Sequence, residues 1–251
     1  MDMQLKELFL DRWNKYFAGA DLPITFYYSN DDGCAPKATN PKEWRCFIGE
    51  LGRVRHGEPL AFSSTAISCA GGKRYCGFSQ QLRSNFEYFL SYGIDGELEG
   101  ERYKKTPELV KEQLRQHPAY SAPAEYLICK RWDHLEERDE PLIVAFFATA
   151  DVLSGLFTLA NFDEFSSQGV IAPFGAGCSS IVYHPYFESK SEHPRGVLGM
   201  FDVSARPYVE SGVLTLAVPW EKFVRMVRDM DESFLITNSW NKVRKRIGAK
   251  K

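Results

Sequence analysis

Apolar residues recur at helical spacing from the first turn of the chain. Leu5, Leu8, Phe9, Trp13, Tyr16 and Phe17 share one side of a helix over 3–17 that Gly19 closes. The pattern then changes to β-branched and aromatic residues in "LPITFYYS" (22–29), a predicted strand that ends at the turn-forming "NDDG". Pro41 opens a second predicted helix, "KEWRCFIGELGRVRHG", with Trp44, Ile48, Leu51 and Val54 on one face. "PLAFSST" (59–65) reads as a short strand that runs directly into "STAISCAGGKRYCGFSQQ" (64–81). Residues 79–93 have helical periodicity with Leu82, Phe86, Phe89 and Leu90 inward. "GIDGELEGERYKKTP" (93–107) is a polar, Gly-containing excursion that can form a hairpin.

The second half is more regular. Thr106 as N-cap, Pro107 at the first helical position and Pro118 just past the end bracket a helix in "TPELVKEQLRQHP". "AEYLICKRWDHL" and "PLIVAFFAT" are predicted strands around a charged "EERDE" turn, and Asp151 is the expected cap of "VLSGLFTLANF". "GVIAPF" (169–174), "RGVLGMFDV" and "SGVLTLAVP" read as further strands, and "GAGCSS" as a strand-to-helix turn. "WEKFVRMVRDMDESFL" is strongly amphipathic, with Phe223, Val224, Val227 and Met230 on its apolar face. Interleaved strands and helices predict an α/β or mixed α+β fold. No linker divides the chain, so residues 1–251 are expected to form a single globular domain. "EPLAFSSTAISCAGG" and "QGVIAPFGAGCSS" echo one another as strand, small-residue turn and cysteine, a pattern that two similar halves would produce.

Composition narrows the function classes. Thirty-one basic and thirty-three acidic residues leave a net charge of −2, and no basic face predicts a nucleic-acid partner. The tail "NKVRKRIGAKK" concentrates six Lys or Arg; it is expected to end a final helix in solubilising charge, with an RNA or membrane contact as the alternative. "PLIVAFFATA" is too short for a membrane span, and the start of the chain lacks a signal-peptide run. The chain therefore reads as cytoplasmic and not membrane-bound. In that compartment six cysteines point to buried thiols, ligands or nucleophiles before disulfides.

Two turns carry the candidate chemistry. In the first, Cys69, Gly71, Gly72, Lys73 and Arg74 combine a thiol, permissive backbone and two cations at a predicted helix start, which favours an anion or an activated thiolate. In the second, Gly175, Gly177, Cys178 and Ser179 make a turn rich in backbone donors, suited to an oxyanion-type nest. The alternative for each is a tight turn with a small apolar filler. Cys46 is expected to be a core thiol of the second helix, Cys76 and Cys129 to be packing, and Cys34 an exposed loop thiol. No C-x2-C pair exists, but Cys46, Cys69, Cys76 and Cys178 together would suffice for a four-thiolate zinc or iron–sulfur site. Nucleophilic chemistry at Cys178 or Cys69 has no histidine base nearby in sequence; His184 is off the face of Cys178 on a helix, and His56, His117, His134 and His193 fall at strand ends or loops. No dinucleotide fingerprint, HExxH or G-x-S-x-G motif occurs, and no cofactor is specified.

The order "WRCFIGELGRVRHGEPLAFSSTAISCAGGKRYCGF … GVIAPFGAGCSSIVYHPYF … GVLGMFDVSARPYV … LTLAVPWEKFVRMV" resembles the family of domain of unknown function 169, from about residue 44 to 246. The resemblance implies that Cys46, Cys69 and Cys178 occupy recurrent cysteine positions of the family, and it carries no activity with it. Relatives often place cysteine in the stretch matching "LGMFDVSAR", where this chain has Met200 and Val203. That departure weakens a multi-thiolate centre and favours a small-molecule pocket lined by Cys69, Cys178 and the turn glycines, with Arg206 as a further cation or, as the alternative, a surface arginine. The leading expectation is thus a protein that binds a small anionic ligand or cofactor where the two turns meet.

Overall fold

A computed structural model describes residues 1–248. Helix α1 spans Met3–Tyr16, β1 Ile24–Ser29, α2 Phe47–Arg55, β2 Leu60–Phe62, α3 Ala70–Tyr75, α4 Phe86–Phe89, α5 Pro107–Gln116 and β3 Tyr126–Arg131. Then come β4 Ile143–Ala148, α6 Ala150–Leu159, β5 Val170–Ile171, a π-helical segment Ser179–Tyr183, α7 His184–Glu188, β6 Gly196–Gly199, β7 Leu214–Pro219, α8 Trp220–Asp229 and α9 Asn238–Arg244. The strands form one sheet in the order β2-β3-β1-β4-β7-β6-β5. Every neighbouring pair is antiparallel except β5 with β6. This is a mixed α+β fold.

Strand alternation sorts the core into two layers. On β4, Val144, Phe146 and Ala148 face α1, α6, α8 and α9, whereas Ile143, Ala145 and Phe147 face α2 and the π segment. The first layer is aromatic. Phe9 lies 4.7 Å from Trp132 and Trp13 lies 5.3 Å from Phe146, ring centre to ring centre. Helix α8 adds Phe223, Met226 and Val227 to it, each buried side chain contributing about 1.5–3 kcal/mol. The second layer, under α2, α3 and α7, is where both cysteine turns lie.

Several local expectations change. Residues 41–46 are not helical; α2 begins only at Phe47, and Trp44 is exposed. Main-chain bonding explains it, because Arg45 N–H donates to Ser68 Oγ (2.8 Å) and holds the chain extended up to Cys46. The helix predicted over 79–93 shrinks to one turn, opened by Asn85 in the left-handed region (φ 58°). Thr149, not Asp151, caps α6, and Cys34 is buried where an exposed thiol is expected. The internal echo does not extend to matching halves. Strands β2 and β5 lie at opposite edges of the sheet, but β2 runs antiparallel to its neighbour and β5 parallel. In the basic tail α9 ends at Arg244, and residues 249–251 fall outside the described part.

Candidate functional site

Three helix starts converge over the α2 face of the sheet, each opened by a cysteine. Cys46 caps α2 and Cys69 caps α3, whose Sγ accepts the Gly72 N–H at 3.4 Å. Ser68 ties the two starts together, accepting from Arg45 N–H and donating to Arg45 O at 3.3 Å. A Cβ on Gly72 would stand 3.0 Å from Phe47 Cβ, so glycine lets α3 lie on the first turn of α2. Cys178 opens the π segment from the far edge of the sheet. A Cβ on the preceding Gly177 would meet Ala205 Cβ at 3.0 Å and Ile48 at 3.2 Å, which again sets the turn against α2. The Gly177 N–H donates to Asp202 Oδ2 at 3.1 Å.

Burial decides the state of these thiols. Cys178 is 6% exposed, and desolvation pushes its thiol well above the ordinary range, with nearby Cys76, Cys69, Cys46 and Asp202 adding to the shift. Cys76 is sealed in the core and raised by the same cause. Cys46 is half-buried; desolvation raises it, the N–H groups of Ile48 and Gly49 act against that, and Cys69 and Asp202 reinforce it. No three His, Cys, Asp or Glu among the described residues are placed to hold a metal ion. The four-thiolate arrangement of Cys46, Cys69, Cys76 and Cys178 is therefore not formed. The reason is local: Cys69 caps the start of α3 while Cys76 caps its end, inside the core.

Beside this junction lies a cavity of about 20 Å³, room for one or two waters. Tyr75 from the end of α3 and Tyr183 from the π segment meet edge to face across it at 5.7 Å. Gly175, Ser179 and His184 supply one wall, Gln113 and His117 from α5 and its cap the other. The rings of His117 and His184 are 5.3 Å apart and perpendicular. His117 Nδ1 is 2.9 Å from Gln113 O; a carbonyl only accepts, so Nδ1 is the donor in this bond. Burial lowers His184 to about 4, His117 adds to the shift and Glu188 opposes it, so near neutrality the ring is uncharged. Gln113 donates from Nε2 to Phe174 O at 3.2 Å, while its Oε1 is buried without a partner.

Arg74 lies behind this wall: it does not line the cavity itself but donates to the main-chain oxygen of His117, which does. It is 7% exposed and bonds main-chain carbonyls only, Gln80 O at 3.0 Å and His117 O at 3.5 Å, with no carboxylate partner among the described residues. Its charge acts on both Tyr75 and Tyr183, lowering what desolvation raises; for Tyr75 the result is a phenol at about 12. Lys73, half-buried, makes no ion pair among the described residues. Gly71 is under no steric demand, since a Cβ there would be 3.8 Å from Cys69 Sγ. Arg206 is turned away; its guanidinium donates to Val213 O and Glu210 O.

The model of DUF169, described as an uncharacterised ArCR family, matches residues 22–229 of the 251. The chain belongs to this family. No curated protein and no solved structure matches it. Within this DUF169 chain the three cysteines of the quoted motifs are neighbours at one junction, and Met200 packs beside them, its Sδ 3.0 Å from where a Cβ on Gly177 would be. No helix of the described residues is long and apolar enough to cross a membrane. His117 and His184 enter the sequence argument only as bases for a cysteine, and Gln113 does not enter it. Both histidines precede proline, but so does His193, which is exposed, so no local signal separates them.

Proposed function

We propose that the protein binds a small anionic ligand at the seam between the Cys69 and Cys178 turns, with the cavity between Tyr75 and Tyr183 taking the anionic head group. The observation that carries this reading is Arg74, a buried guanidinium bonded to the His117 carbonyl in the cavity wall, with no carboxylate partner among the described residues. Burying an uncompensated charge is costly, and a ligand of opposite sign removes that cost. Cys69, Gly72, Gly177 and Cys178 build the junction, Lys73 and Arg74 supply positive charge, and Gly175 and Ser179 form the wall. The small volume suits a carboxylate-sized group, and Phe174, with Tyr103 and Lys104 against it, offers an aromatic surface for the rest of the molecule.

Thiol catalysis is the weaker alternative. Cys178 is buried with its thiolate disfavoured, and Cys69 has no histidine among its hydrogen-bond partners.

Thermal melts of chelator-treated protein in small monocarboxylates, phosphate and sulfate test the proposal. A bound anion at a hundred times its Kd stabilises by about 2.7 kcal/mol. Arg74→Met should remove the response and Arg74→Lys retain part of it. No response to any anion, or an equal response in Arg74→Met, overturns the reading.

A further inference from the structure

The two histidines of the cavity come from parts of the chain that share no element. His117 ends α5 and His184 begins α7. Two imidazoles on one tetrahedral ion, with metal–nitrogen distances of about 2.0–2.1 Å, have ring centres roughly 5 Å apart. His117 and His184 stand at 5.3 Å and line a single cavity of ionic size. His117 also has the support that metal-binding histidines carry, its other ring nitrogen donating to a backbone carbonyl, here Gln113 O. The side-chain oxygen of that same Gln113 is buried with no hydrogen-bond donor, an expensive arrangement that a cation would relieve. His184 Nε2 lies 3.9 Å from where a Cβ on Gly175 would be, and Ser179 Oγ stands 2.5 Å from the same point, so glycine makes room there for the hydroxyl beside the imidazole.

From this juxtaposition we infer that the cavity is a binding site for a divalent transition-metal ion, held by His117 and His184 with Gln113 Oε1 as a third, weaker ligand. Imidazole-rich sites of this kind suit zinc, copper, nickel or iron rather than magnesium or calcium. No third His, Cys, Asp or Glu joins them among the described residues, so the ion keeps open positions, as catalytic rather than structural sites do. The inference deepens the proposed function. Arg74 behind the cavity wall works against a cation alone, and an anion on an open position of the ion offsets both charges.

Cobalt(II) added to chelator-treated, full-length protein tests it. The expected result is a visible d–d spectrum that saturates at one equivalent, with no sulfur-to-cobalt charge transfer. His117→Gln and His184→Gln should each weaken binding by about a hundredfold or more, beyond the 10–100-fold typical of an outer-shell loss. Gln113→Leu should cost less, and Cys46→Ser should bind as the parent does. Near-UV circular dichroism reports whether each variant is folded, and if His184→Gln is not, the half-buried His117 variant decides. No d–d spectrum at millimolar cobalt overturns the site, as does a spectrum lost in the cysteine variant but kept in the histidine variants. The anion reading fails independently, in the melts run without metal.

Discussion

Replacing Asp139 by Asn isolates a fully buried charge. Asp139 is 0% exposed, and both its carboxylate oxygens lie 2.9 Å from Lys130 Nζ, itself 2% exposed. The carboxylate also accepts from the Tyr27 hydroxyl and from Glu136 N–H at 2.7 Å. Asn preserves the shape and removes the charge, leaving Lys130 with Glu136 at 3.4 Å, a partner that is more than half exposed. Breaking a buried pair from one side costs about 3–5 kcal/mol, because the remaining charge stays desolvated. Against a total stability of about 5–15 kcal/mol that is a large share, and in a chain of this size it lowers Tm by roughly 10 °C. Urea melts followed by circular dichroism and tryptophan fluorescence read the loss. The double variant Lys130→Met, Asp139→Leu removes both charges and should recover most of it. A single variant within about 1 kcal/mol of the parent, or a double variant no better than the single, refutes the reasoning.

Three more outcomes are expected. Asp231 is held at about 2, below its ordinary 3.8, by hydrogen bonds from Lys15 and Tyr16 and by the Arg12 charge; its stabilisation is present above pH 4 and lost as the pH falls toward 2, so Asp231→Asn should be less stable near neutrality and converge with the parent in acid melts. Iodoacetamide on the native protein should modify the half-buried Cys46 and Cys69 before the buried Cys76, Cys129 and Cys178; peptide mapping that finds Cys178 modified first contradicts the burial. A Cβ on Gly199 would fall 2.1 Å from Ser180 Oγ, so Gly199→Ala must displace the π segment; about 1–3 kcal/mol of stability should go with it, and cobalt binding too, whereas an unchanged urea midpoint would mean that the segment stands clear of β6.

The π segment shows how local chemistry and tertiary packing divide the work. Pro185 has no N–H to give, and the His184 N–H reaches back five residues to Ser179 O. The proline is plain in the sequence, but the wider turn, which aims His184 into the cavity while Ser180 rests on Gly199, depends on β6 lying underneath.

Where signals are local, the sequence alone determined the outcome. Helix α5 runs as read because Thr106 Oγ1 accepts the Leu109 N–H, Pro107 suits the first turn and Pro118 follows the end. Helix α8 and strands β1, β3, β4 and β7 follow from periodicity, which each segment carries within itself. Only the tertiary structure decided that Cys46 joins Cys69 and Cys178 as a helix cap, because the Arg45–Ser68 bond spans 23 residues. It alone paired His117 with His184 and left Arg74 without a carboxylate among the described residues. Such contacts depend on which strands are neighbours and at what register, and a linear pattern of apolar and polar residues does not encode the distance between two side chains on different elements.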